Sequence, residues 1–163
     1  MSETVTIRLA KENMKFSAGH FTLFSASERE RLHGHNFRVE ADIEARMLGN
    51  GMCFDYGIYK DRIVALCREL NEWTILPTRS PYLRIEEDGD QVFAHFAGRR
   101  IPFLREDVLL LPIENATLEE FAGWFLGRLA EDREALRAHR IDAIEVRVFS
   151  GPGQSAGRRV RFD

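Results

Sequence analysis

Three histidines carry the chemistry this chain can do. His33 and His35 flank a single glycine, and His20 lies thirteen residues upstream. Strand-like sequence surrounds all three. In a strand, residues i and i+2 point to the same face, so His33 and His35 can converge on one point. A third imidazole from a neighbouring strand completes a three-nitrogen face. Catalytic zinc sites have that form: three protein ligands and an open position for water or substrate. The spacing therefore points to one Zn²⁺ held by His20, His33 and His35. Against it stand two simpler readings, a surface His-x-His and a core histidine within Phe-Ser-Ala-Gly-His-Phe. His95 and His139 lie in segments without such a pattern.

Length and composition bound the rest. A chain of 163 residues suits one domain with a substantial core. No apolar run approaches the roughly 20 residues needed to span a bilayer, so no membrane partner is expected. The N-terminus lacks a basic-then-apolar secretory pattern, so the expected location is cytoplasmic. Cys53 and Cys67 show no CxxC spacing and read as reduced core residues. A net charge of −3 gives no electrostatic case for nucleic acid. An anionic substrate would need a local basic pocket.

The elements that must position the histidines can be read in order. Val5, Ile7 and Leu9 alternate with polar residues as a strand. After a polar kink at Lys11–Asn13 the chain resumes, as one bent strand or two short ones, and ends near His20. Residues 25–31 form a charged loop whose carboxylates stand just before the His-Gly-His. Phe37, Val39, Ala41, Ile43 and Ala45 alternate with Arg38, Glu40, Asp42 and Glu44, and His33 and His35 share the apolar parity. Asp55 suits the N-cap of a helix with an apolar stripe of Tyr56, Tyr59, Ile63, Leu66, Cys67 and Leu70, ending near Asn71-Glu72. Residues 77–104 read as a small β-meander, with turns at Asp88-Gly89 and Ala97-Gly98; a flexible flap is the other reading. Val108–Leu111 is apolar but too short to type. Thr117 with Glu120 forms a capping box for a second helix, followed by an exposed charged tail, 131–140. Ile144, Val146 and Val148 form a strand, a turn follows at Ser150–Gly153, and a last edge strand covers 158–162. The fold class is α+β, a mainly antiparallel sheet with helices on one face.

On Phe16–His20, Leu32–Phe37, Phe54-Asp55-Tyr56 and Asn115–Glu119, the chain resembles the 6-pyruvoyltetrahydropterin synthase and 6-carboxytetrahydropterin synthase family. The match runs in order over nearly the whole chain, read as one domain, with 77–107 looking like an insertion. The resemblance implies a tunnelling fold: a four-stranded antiparallel sheet with two helices on one face, assembled into an oligomeric barrel. It implies a homo-oligomer, with a hexamer as the expected size, and a zinc site at His20, His33 and His35. It also implies lyase chemistry on the side chain of 7,8-dihydroneopterin triphosphate.

The departures bear on the chemistry. No cysteine precedes the His-Gly-His, where the family has one. The family's Asp-His pair aligns near Asn71-Glu72, and its pterin-gripping glutamate falls on Ser150. A folate-related subgroup places a glutamate three residues before the first histidine and makes 6-hydroxymethyl-7,8-dihydropterin; Glu30 matches that spacing. The candidate catalytic residues are therefore Glu30 first and Glu72 second. Apolar surroundings are expected to raise the Glu30 pKa toward that of an efficient general base. Thr117, Glu119 and Ser150 are candidate substrate contacts, with Gln154 a neutral donor beside them. Arg99, Arg100, Arg105, Arg158 and Arg159 are available for phosphate, with no indication of which converge. Two alternatives stand beside the lyase: a same-fold zinc protein with another heterocyclic substrate, and a non-catalytic binding protein.

Overall fold

The computed structural model describes residues 3–162. The chain runs β1 (Thr4–Leu9), β2 (Lys15–His20), β3 (His33–Arg46), α1 (Gly57–Leu70), β4 (Trp73–Pro77), β5 (Arg84–Asp88), β6 (Gln91–Phe96), β7 (Arg99–Leu104), β8 (Val108–Leu111), α2 (Leu118–Leu129), α3 (Arg133–Ala138), β9 (Ile141–Gly151) and β10 (Gln154–Arg161).

The long strand β3 organises the main sheet. Its period-2 pattern buries Phe37, Val39, Ala41, Ile43 and Ala45 on one face. One edge of β3 pairs antiparallel with β9, and the other takes β2 and β1 in succession. The polar stretch at Lys11–Asn13 breaks what would be a single strand into two, with the Val39 amide bonding across the break to the Met14 carbonyl. The order β10-β9-β3-β2 is the expected four-stranded antiparallel sheet. It is larger than expected, however, with seven strands: β1 joins β3, and β4 and β8 extend the far edge in parallel. Strands β4 and β8 are short apolar runs directly beside a helix or the meander. Their sequence alone gives no period to distinguish strand from helix.

Helices α1 and α2 supply the other side of the main core. Tyr59, Ile63, Leu66, Cys67 and Leu70 from α1 meet Phe121, Ala122, Phe125 and Leu129 from α2 over the apolar face of the sheet. Each fully buried large side chain contributes about 1.5–3 kcal/mol. Phe16 and Phe37 stack at 4.9 Å, and Phe121 meets Phe37 edge-on at 5.3 Å. Both cysteines are free and buried, and burial pushes the Cys67 thiol up to about 12, so it is inert.

Local signals were partly offset. Asp55 does act at the start of α1, but from one residue before the N-cap position, accepting from the Gly57 amide at 2.9 Å. Thr117 caps α2 through the Glu120 amide, whereas the Glu120 carboxylate turns away to the Glu114 amide, so the reciprocal capping box does not form. The charged tail contains α3, capped by Asp132 and anchored by buried Leu136.

The meander β5-β6-β7 forms its own antiparallel sheet. It is not a bare flap. Val92, Ala94 and Phe96 pack with Leu76, Val108, Phe21 and Leu23 in a second apolar core. Phe21 and Leu23 belong to the chain leaving His20, so this core supports the loop between the first and second histidine.

Candidate metal centre and cavity

The register of β2 against β3 builds the triad. His20 lies directly opposite His33, and Ala18 opposite His35. All three histidines are on the core face of the sheet, in line with Phe16, Phe37 and Val39. They occupy the end where that face emerges from under α2, so burial decreases from His20 through His35 to His33. Gly34 lies on the opposite face, where a Cβ would meet the Ala18 carbonyl oxygen at 3.3 Å.

Second contacts fix the rings. His20 Nδ1 meets the Ala116 carbonyl at 2.6 Å, and His33 Nδ1 meets the Arg31 carbonyl at 2.7 Å. A carbonyl only accepts, so both rings carry their hydrogen on Nδ1 and turn a bare Nε2 into the site. His33 Nε2 and His35 Nε2 are 3.0 Å apart, and one ligand atom from each of the three residues lies within 4.8 Å of the others. Nitrogens each about 2.0–2.1 Å from a tetrahedral ion would be separated by about 3.3 Å.

His20 Nε2 is buried without a protein partner, which ordinarily costs free energy. Burial first, with smaller contributions from His33 and His35, holds the His20 imidazole below the usual histidine range and therefore neutral at pH 7. A neutral, oriented and unpartnered imidazole is what a metal requires. The donor set suits zinc or another imidazole-binding transition metal.

These histidines open onto a cavity of about 320 Å³. Glu30, Thr117, Glu119, Ser150 and Gln154 also line it, together with Phe24. The chain thus brings together every predicted site residue except Glu72. That residue lies at the exit of α1, in the left-handed region at φ 66°, with its amide bonded to the Ser17 carbonyl. It is absent from the cavity lining.

Glu30 is held on a turn closed by a Leu23–Arg29 bridge. Its Oε2 accepts from the Thr22 amide at 3.1 Å and lies 3.9 Å from His33 Nε2. Burial does push its pKa up, as expected. The Thr22 amide and the imidazoles of His33 and His20 together outweigh burial, and the net direction is down. The carboxylate is therefore ionised at neutral pH, with its pKa moved away from neutrality rather than toward it.

The sequence reading did not single out Asn115. Its side chain accepts from the Leu23 amide at 3.0 Å and donates to the Leu23 carbonyl at 2.8 Å, clamping the loop to the approach of α2. Asn115 lay in a recognised motif and Leu23 did not, and only the fold shows that they meet.

No helix among the described residues is long and apolar enough to cross a membrane. The family model described as 6-pyruvoyl tetrahydropterin synthase matches residues 8–159. A Methanocaldococcus jannaschii protein provisionally named 6-carboxy-5,6,7,8-tetrahydropterin synthase is 28% identical over 144 residues, 88% of each chain. The crystal structure of 6-pyruvoyl tetrahydropterin synthase from Plasmodium vivax superposes with a TM-score of 0.92 at 27% identity, covering 98% of this chain and 99% of that one. A variant of that enzyme, with a glutamate described as a catalytic residue changed to alanine, has the same TM-score at 26% identity and the same coverage. The seven-stranded sheet is the tunnelling fold of these structures. A family match over nearly the whole chain, and a backbone that follows the solved synthases throughout, make this chain a member of the 6-pyruvoyl tetrahydropterin synthase family of pterin-processing enzymes.

Proposed function

We propose that this chain is a zinc-dependent lyase acting on the side chain of 7,8-dihydroneopterin triphosphate or a close relative, with Glu30 as the proton-transferring group. One observation carries the reading: three imidazoles converge on one point with the Glu30 carboxylate 3.9 Å from His33 Nε2. His20, His33 and His35 would hold the ion. Bound there, zinc supplies Lewis acidity toward side-chain oxygens of the substrate.

The protein's own groups do the rest. Glu30 is ionised, and the Thr22 amide fixes one of its oxygens. That same oxygen, Oε2, faces His33 Nε2, and its remaining lone pair can accept a proton from a substrate group beside the histidines. The catalytic glutamate named in the P. vivax variant supports a carboxylate in this role. Glu119 suits the N–H-rich edge of a pterin, since hydrogen bonds to a carboxylate are stronger than neutral ones. Thr117, Ser150 and Gln154 offer neutral bonds around it. Glu72 joins the reading only if a neighbouring protomer of a homo-oligomer, expected as a hexamer, supplies it. The neutral Ser150 and Gln154 rim supports a second reading, a different heterocycle on the same metal.

The test is to incubate zinc-loaded protein with dihydroneopterin triphosphate and identify products by mass. Release of 6-hydroxymethyl-7,8-dihydropterin is expected. A pyruvoyl or carboxy product would assign another base, and absence of turnover would favour the second reading. Glu30→Gln should lower kcat by about 10²–10⁴-fold with zinc content unchanged. Retained activity would remove Glu30 from the mechanism.

A further inference from the structure

A second groove, of about 670 Å³, begins where the metal cavity ends. The two share Phe24 and Glu30 as a common wall. The groove carries three arginines from two parts of the chain: Arg29 and Arg31 from the Glu30 loop, and Arg99 from the meander. Arg99 is brought there by the tight turn at Ala97 (φ 49°) and Gly98 (φ 74°), which starts β7 directly after β6. That pair of positive φ values belongs to a two-residue hairpin.

Most arginines of this molecule are neutralised. Arg8, Arg46, Arg62, Arg105, Arg128 and Arg159 are among those in ion pairs. Among the described residues none of the three groove arginines is in one. Arg29 is positioned without losing its charge. Its guanidinium lies 5.0 Å from the Phe21 ring centre and 5.9 Å from that of Phe96, and donates to the Glu30 carbonyl at 2.7 Å. Arg31 and Arg99 are exposed, and the Arg31 carbonyl is the group that orients His33. The opposing charges are Glu28 and Glu30. Glu30 is engaged with the Thr22 amide; Glu28 is exposed.

We propose that this groove is a polyphosphate subsite, which takes the phosphorylated end of the substrate while the reacting carbons lie at the histidines. The proposal rests on the pterin reading above. Guanidinium groups bind phosphate oxygens in pairs, and a triphosphate offers enough of them to engage three. The shared wall at Glu30 puts the change from anionic tail to reacting carbons beside the proposed base. On this view the meander contributes specificity for the phosphorylated substrate, through Arg99.

The experiment uses inorganic tripolyphosphate and the zinc-loaded full-length protein. Calorimetry should show binding that weakens about tenfold in Arg31→Ala and in Arg99→Ala, consistent with one charge-assisted contact each, and further in the double variant. Glu28→Gln should tighten it. In turnover, Arg99→Ala should raise KM for dihydroneopterin triphosphate with little change in kcat, and leave unphosphorylated dihydroneopterin unaffected. Tripolyphosphate binding that is absent, or equal in wild type and the double variant, overturns the proposal. So does lost tripolyphosphate binding with an unchanged preference for the phosphorylated pterin, which would assign the groove to a separate anion. If no pterin is turned over yet tripolyphosphate binding falls in these variants, the groove stands and the lyase reading falls.

Discussion

Two β structures support the Glu30 loop, the β2–β3 pair that it connects and the meander that packs on Phe21 and Leu23, and they are built differently. The β2–β3 pair lies on the main core, with α1 and α2 packed over its apolar face. The meander has no helix of its own and closes a smaller core by borrowing Phe21 and Leu23 from the loop and Leu76 and Val108 from the main sheet. The first places the imidazoles through strand register, and the Ala116 and Arg31 carbonyls orient two of the rings. The second places the loop. Metal affinity should therefore depend on the main core and the position of Glu30 on the meander.

Variants can separate the two. The largest effect should come from His20→Ala, which removes a ligand. Zinc affinity should fall by more than about 100-fold, since even partners behind a ligand are worth 10–100-fold; stoichiometric zinc by elemental analysis would refute the triad. Next, Phe37→Ala opens a void beneath His20 and His35, whose rings lie 5.5 Å from its own. It should cost about 3–5 kcal/mol in denaturant unfolding and weaken zinc binding. Phe96→Ala makes the same truncation in the other core. There, hydrogen-exchange protection of residues 21–30 should fall while zinc stoichiometry holds; loss of zinc would show that the two cores do not act separately. Asn115→Ala removes the clamp on Leu23 and should cost about 1–3 kcal/mol, with activity falling more than zinc content.

The smallest effect lies away from both regions. Arg8 bonds both oxygens of Asp42 at 2.8 Å and holds its carboxyl below the usual range. A depressed folded pKa gives stability that is present above the unfolded value, near 3.9, and is lost as pH falls through the folded one. Arg8→Ala should therefore lower Tm slightly at pH 7, with the difference vanishing in acid. A difference that persists at low pH would assign the effect to packing.

Much of this site was legible in one dimension. The parity of His33 and His35 with Phe37 and Val39 is a property of any strand, so the shared face followed from spacing. The two amphipathic helices and the meander turns were legible for the same reason, because periodicity and turn chemistry are local. The parallel strands β4 and β8 were not, since a short apolar run buried on both sides has no period to show. The direction of the Glu30 pKa was not legible either, because it depends on an amide eight residues away and on two imidazoles, all brought close by the turn.

The sequence by itself determined which residues could bind a metal and which face of a strand they share. Only the tertiary structure decided that His20 stands opposite His33, that Ala116 and Arg31 orient the rings, and that Glu72 lies outside the cavity. The reason is physical: side-chain parity repeats along a chain, whereas register and burial are set by contacts between residues far apart in it.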